Sequence, residues 1–164
     1  MSQASAVKSA AELSQAFEAR AREFADLVRG LDEQQWLLVT EAEGWPVGTT
    51  AHHVAVAFES LWGLTEALLA DNVPSFTMDD INAANAQHAA EYPNPDKAET
   101  LAMLENGARD LAAKIAALSD EQLDHKAVVP LFGPDPITVR TWIENVIIGH
   151  FNAHQPSIEA TIGR

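Results

Sequence analysis

Val146-Ile147-Ile148-Gly149-His150-Phe151-Asn152-Ala153-His154-Gln155 is an apolar stretch near the C-terminus that carries two histidines four residues apart. On a helix, residues at that spacing project from one face, one turn from each other. Ile143, Ile147, His150, His154, Ile158 and Thr161 follow steps of three or four, so both imidazoles belong to the stripe that packs inward. Two inward histidines need an explanation. A buried neutral imidazole must satisfy both ring nitrogens, and a buried imidazolium is costlier still. A metal ion satisfies one nitrogen of each ring at once. Hydrogen bonds to one another and to water are the plainer answer, and an H-x-x-x-H spacing alone does not separate the two.

A third histidine lies upstream. Glu41 to Gly48 reads as a loop broken by Gly44, Pro46 and Gly48, and Thr49 or Thr50 can cap a helix that follows from about Thr50 to Leu69. Its buried arc is Val54, Ala57, Leu61, Leu64 and Leu68. A turn of about 100° per residue separates the adjacent pair His52 and His53. His53 falls at the edge of the buried arc, beside Ala57, and His52 on the side of Glu59 and Glu66, so His53 is the inward candidate and His52 is expected in solvent. His53 is near the start of its helix, while His150 and His154 are in the second half of theirs. If the two helices touch and run antiparallel, the three rings converge. Three nitrogens leave a coordination position open, as in catalytic rather than structural zinc sites. Nickel, iron and copper also bind imidazole, so ligand type leaves the metal open. A di-iron bundle is disfavoured for want of paired Glu-x-x-His motifs. His88 and His125 are expected at the surface or in loops, and Trp36, Trp45, Trp62 and Trp142 as core and loop anchors.

The rest of the chain supplies the frame. Leu13, Phe17, Ala21, Phe24, Val28 and Leu31 keep helical spacing, which predicts a first helix from about Ser9 to Arg29 ended by Gly30. Asp32 with Gln35 forms a capping box for a short helix through Trp36. Asp71 to Pro95 is a long connection with a helical piece around Asp80 to Glu91, which suits a crossover rather than a hairpin. A third long helix from about Asp96 to Leu118 carries Leu101, Leu104, Ala108, Leu111, Ile115 and Leu118 as a seam. Ser119 with Gln122 is a second box, and Val128 to Pro136 is broken by Pro and Gly, with a small hairpin expected around Gly133-Pro134-Asp135. The last helix should run from about Thr138 to Ile162 with a kink at Pro156. Leu31 to Gln35 echoes Leu118 to Gln122, and each precedes a Pro-containing loop and a His-bearing helix. Two helical hairpins related by a pseudo-twofold axis would produce that echo.

With 164 residues and no Pro, Gly or Ser-rich linker, residues 1–164 read as one domain. Hydrophobic residues are 47%, Ala and Leu dominate, and β-branched runs are few, which makes the class all-α. Ten Lys plus Arg against 24 Asp plus Glu give a net charge of −14, which repels nucleic acid and anionic membranes. The chain has no cysteine, so disulfides, thiolate ligands and a protein thiol nucleophile are excluded, and His, Asp and Glu remain for metal or acid–base chemistry. Met1 to Ser14 resembles no signal peptide and no stretch is apolar enough to span a bilayer, so a cytoplasmic protein is expected.

Trp45-Pro46-Val47, then Ala51-His52-His53-Val54, then His150-x-x-x-His154 on a terminal helix resembles the DinB-like superfamily. In that family a tryptophan precedes the first metal histidine by eight positions, and Trp45 to His53 keeps the spacing. The resemblance implies an up-down-down-up four-helix bundle, with a long crossover between helices two and three. It also implies a divalent metal, commonly zinc or nickel, on His53, His150 and His154, and a homodimer. The superfamily is similar to enzymes that use mycothiol, bacillithiol or glutathione in isomerase or transferase reactions. A thiol-dependent S-transferase or isomerase acting on small molecules is therefore expected, with any thiolate supplied by a low-molecular-weight cosubstrate. The alternatives are a non-catalytic, metal-binding or stress-associated dimeric bundle, and a purely structural dimer. Wheel position does not select among Glu59, Glu144 and Asn152, and the general base stays unassigned.

Overall fold

In the computed structural model, which describes residues 7–164, the helices are α1 (Ala10–Gly30), α2 (Glu33–Leu37), α3 (Val47–Leu69), α4 (Met78–Glu91), α5 (Lys97–Ala116), α6 (Asp120–Asp124), α7 (Val139–Trp142) and α8 (Gly149–Thr161). A π-helical segment, Ile143–Ile148, joins α7 to α8 in one continuous rod. Residues 1–6, and with them the first part of the expectation for Met1 to Ser14, lie outside the described residues.

Capping chemistry sets the starts. Ser9 with Glu12, Asp32 with Gln35, Thr77 with Asp80 and Ser119 with Gln122 form reciprocal boxes that open α1, α2, α4 and α6. Asp96 and Thr138 cap α5 and α7 through their side chains. α3 departs from expectation: it begins at Val47, directly after Pro46, with no side-chain cap. Pro46 ends the loop because its fixed φ suits a helix entry. Thr49 is freed to donate to the Tyr92 carbonyl at 2.8 Å, which ties the end of the crossover to the first turn of α3.

Four rods pack as a bundle, and contacts fix their directions. Ser14 Oγ donates to the Ala112 carbonyl at 2.8 Å, while Arg29 at the far end of α1 pairs with Glu105, so α1 and α5 are antiparallel. Lys8 and Glu144 at 3.0 Å, Arg20 and Asn152 at 2.8 Å, and Glu23 and Gln155 at 3.0 Å advance in step, so α1 and the last rod are parallel. Trp142 Nε1 donates to Thr65 Oγ1 at 3.0 Å late in α3, and His53 early in α3 meets His154, so α3 opposes the last rod. The order is up-down-down-up. Two parallel neighbours, α3 and α5, cannot be joined by a tight turn, and the Ala70–Asp96 connection with α4 carries the chain back. α1 packs beside α5 and the last rod, and α3 beside the same two, so α1 and α3 face each other across the core and the two hairpins expected from the echoed capping boxes do not form.

The core is aromatic at its centre. Phe151 stands 5.7 Å from Phe17, 5.7 Å from Phe24 and 5.9 Å from Phe58, which joins α1, α3 and α8 by tilted and edge contacts. The expected stripe on α1 is buried throughout. Trp36 and Trp142 are core residues, and Trp62 sits under the Lys114 ammonium. The broken segment forms the small hairpin, pairing Lys126–Ala127 with Ile137–Thr138. No helix among the described residues is long and apolar enough to cross a membrane.

Candidate metal centre

The last rod owes its inner face to its π-helical segment. Val139, Ile143, Ile147, Phe151 and Gln155 are all buried although they repeat in steps of four. In a regular α-helix each such step over-rotates by about 40°, so the row would drift off the core within a few turns. The wider π turn at Ile143–Ile148 absorbs the drift. The next row, Trp142, Val146, His150 and His154, stays in register beside it and lines a cavity. The helix continues through Pro156 to Thr161 with the proline exposed, so the departure from α geometry lies upstream of the expected kink.

His53 joins that row from the second turn of α3. Its ring centroid is 5.3 Å from that of His150 and 4.9 Å from that of His154, and the latter two are 4.8 Å apart. One ring nitrogen from each residue lies within 4.8 Å of the others. His150 Nε2 is buried with no hydrogen-bond partner, an orphan of the kind that a cation would satisfy. Burial, then the adjacent imidazoles of His154 and His88, pushes His53 down to about 4. Burial, then His154 and His53, pushes His150 down to about 3. Both are neutral at pH 7, the form that donates a lone pair to a metal. Three converging imidazoles, one with an unpaired buried nitrogen, suit a borderline divalent ion.

The surroundings hold two features beyond the sequence reading. Glu43, from the loop before α3, accepts from His154 Nδ1 at 2.9 Å and from Ser157 Oγ at 2.5 Å. Burial alone would raise its carboxyl, and hydrogen bonds from Ser157, His154 and Thr40 more than offset this, holding it below the usual carboxylate range. The edge of Trp45 packs on His53 with centroids 5.6 Å apart. His52 is not solvated: it is 6% exposed, because Tyr92 and His88 at the end of α4 cover its side of the helix. His52 Nδ1 and His88 Nε2 are 3.3 Å apart. His88 is correspondingly partly buried and lines the cavity, in contrast to its expected surface position, while His125 pairs with Asp71 at 3.0 Å. The three undecided polar candidates lie elsewhere. Glu144 pairs with Lys8, Asn152 accepts from Arg20, and Glu59 is exposed.

The imidazole cluster closes one end of a cavity of about 610 Å³ walled by α3, α4, the last rod and the Pro130–Phe132 turn. Beyond the histidines its walls are mainly aliphatic and aromatic.

Fold and site together define a DinB-like four-helix bundle with a three-histidine cluster at one end of an apolar cavity. Residues 17–147 match the model of the mycothiol maleylpyruvate isomerase N-terminal domain, and the chain belongs to that family. His53 lies within the matched span, and His150 and His154 lie just beyond it. Among solved structures, YfiT from Bacillus subtilis superposes with a TM-score of 0.71 at 15% identity, over 99% of this chain and 94% of that one. YfiT is described as "a probable metal-dependent hydrolase with an unusual four-helix bundle topology". No curated protein matches the sequence significantly.

Proposed function

We propose that this chain is a divalent-metal-dependent enzyme acting on a small molecule, with His53, His150 and His154 as its protein ligands and zinc or nickel as the ion. The observation that carries this reading is the convergence of three ring nitrogens within 4.8 Å at the end of a cavity, one of them buried and unpartnered. Three ligands leave a position for substrate. The ion would supply Lewis acidity to a water or a small-molecule thiol. A thiol would have to be a cosubstrate, because the chain has no cysteine. The chain's own groups prepare the site. Burial keeps His53 and His150 unprotonated, Glu43 fixes the orientation of His154, and Trp45 packs against His53. The mycothiol-using isomerase for which the family is named supports thiol chemistry as the class, and the description of YfiT supports metal chemistry.

Elemental analysis of untagged protein tests the reading. Wild type equilibrated with zinc or nickel should retain about one ion per chain, and the His53→Ala, His150→Ala double variant should retain none. Retention by the double variant, or none by wild type, overturns it. Assays with a panel of low-molecular-weight thiols with electrophiles, and of esters and amides in water, then distinguish transfer from hydrolysis.

A further inference from the structure

We infer that the cavity beside the imidazole cluster takes a molecule with a single metal-seeking head group and an uncharged, apolar body, and rejects a second charged group. The inference rests on the proposed metal reading for the head group and on the cavity alone for the body.

The walls decide the body. Among the described residues, no Lys, Arg, Asp or Glu lines the cavity. Away from the histidines, the polar side chains are Ser60 and Asn85, against residues such as Leu64, Ile81, Phe132 and Val146. Trp142 also contributes only carbon, because its indole N–H is committed to Thr65 Oγ1 at 3.0 Å on the core side. The apolar lining continues to the mouth, where Phe132 is 53% and Met78 54% exposed. Apolar walls of this kind reward transfer of apolar surface from water.

Charge decides what is rejected. A single anionic group at the cluster would be compensated by the ion. A second would stand in largely apolar surroundings without a Lys or Arg to pair it, and desolvating an unpaired charge is costly. Four of the chain's cations are engaged elsewhere: Lys8 with Glu144, Arg20 with Glu23, Arg29 with Glu105 and Arg140 with Asp124. A net charge of −14 adds a field that repels anions generally. Maleylpyruvate, for which the family is named, carries two carboxylates, and among the described residues no Lys or Arg lines this cavity to pair the second.

Two dyes of one skeleton test the body independently of any reaction. N-phenyl-1-naphthylamine is neutral, and 1-anilinonaphthalene-8-sulfonate adds one anionic group. Titrated into the chelator-treated full chain, where no ion can compensate the sulfonate, and followed by fluorescence, the neutral dye should bind at least about tenfold more tightly than the sulfonate. Ala57→Trp on α3 and Ala84→Trp on α4 both fill the cavity, from opposite walls, and each should weaken the neutral dye by about tenfold or more. Having two variants guards against one that fails to fold. Equal or tighter binding of the sulfonate, or neutral-dye binding untouched by both variants, overturns the inference. The dyes report the cavity and elemental analysis reports the ion, so each claim can fail without the other.

Discussion

His154 Nδ1 lies 2.9 Å from Glu43 Oε1, and the second oxygen of the same carboxylate accepts from Ser157 Oγ at 2.5 Å. A carboxylate can only accept, so Nδ1 carries a proton, and in the neutral ring Nε2 is the lone-pair donor. The loop before α3 thus sets the tautomer of a histidine more than a hundred residues away. Ser157, one turn beyond His154, keeps the carboxylate from turning away.

Glu43→Gln should weaken zinc or nickel binding by about tenfold to a hundredfold while leaving the helical content intact. The amide oxygen can still accept from Nδ1–H, but the charge that strengthens the imidazole as a donor is gone. Competition with a chromophoric chelator measures the affinity. An unchanged affinity would mean that the Glu43 contact only packs the loop.

The metal-free protein should lose stability as pH falls below about 6.5. Unfolded histidines titrate near that value, whereas burial pushes His53 down to about 4 and His150 down to about 3. Between those values the unfolded chain binds more protons, so acid favours it, and the full stability is present only above the unfolded value. Each histidine contributes a slope on the order of 1 kcal/mol per pH unit. Urea midpoints of chelator-treated protein from about pH 7.5 to 5 stay above the range where most carboxylates titrate. His150→Gln should flatten the curve, and a slope equal to wild type would remove His150 from this account.

What the sequence disclosed was local or periodic. Capping boxes at Asp32 and Ser119 depend on residues three apart, and the stripe from Leu13 to Leu31 depends on helical period alone. The meeting of His53 with His150 and His154 followed from one assumption, antiparallel packing of two helices. Glu43 was out of reach because its direction comes from a loop closed by the Val39–Pro46 bridge and a left-handed Gly44, which no period encodes. His52 was misplaced because a wheel describes one helix, and the crossover covers the side that the wheel left to solvent. A repeat of buried apolar residues in steps of four from Val139 to Phe151 was the available sign of the π turn.

Gly48→Ala should destabilise the fold by about 1–3 kcal/mol, although alanine is the better helix former by about 1 kcal/mol. A Cβ at this position would stand 2.4 Å from Trp36 Cε2 and 2.5 Å from Nε1. The indole cannot retreat cheaply: it is 5% exposed and donates to the Pro95 carbonyl at 3.0 Å. Moving it breaks the contact that holds α2, the start of α3 and the end of the crossover together. Thermal denaturation decides the sign, and a more stable alanine variant would show that Trp36 yields without loss.

The far end of the α3 pairing from the histidines is held by Trp142 and Thr65, and their bond should register as coupling. Trp142 is 2% exposed and Thr65 fully buried, and the Thr65 hydroxyl accepts the indole N–H while donating to the Leu61 carbonyl at 2.9 Å. Thr65→Val leaves a buried N–H unpaired and should cost about 1–3 kcal/mol. Trp142→Phe removes that donor, at the expense of a smaller ring in the core. Once Thr65 is valine, the donor has no bond left to lose, so Trp142→Phe should cost less in that background than in wild type, by at least about 0.5 kcal/mol. Urea denaturation of the four proteins in the cycle measures the difference. Strict additivity would mean that packing alone, rather than this hydrogen bond, holds α7 against α3, and that the register bringing His150 and His154 to His53 is set from the core outward.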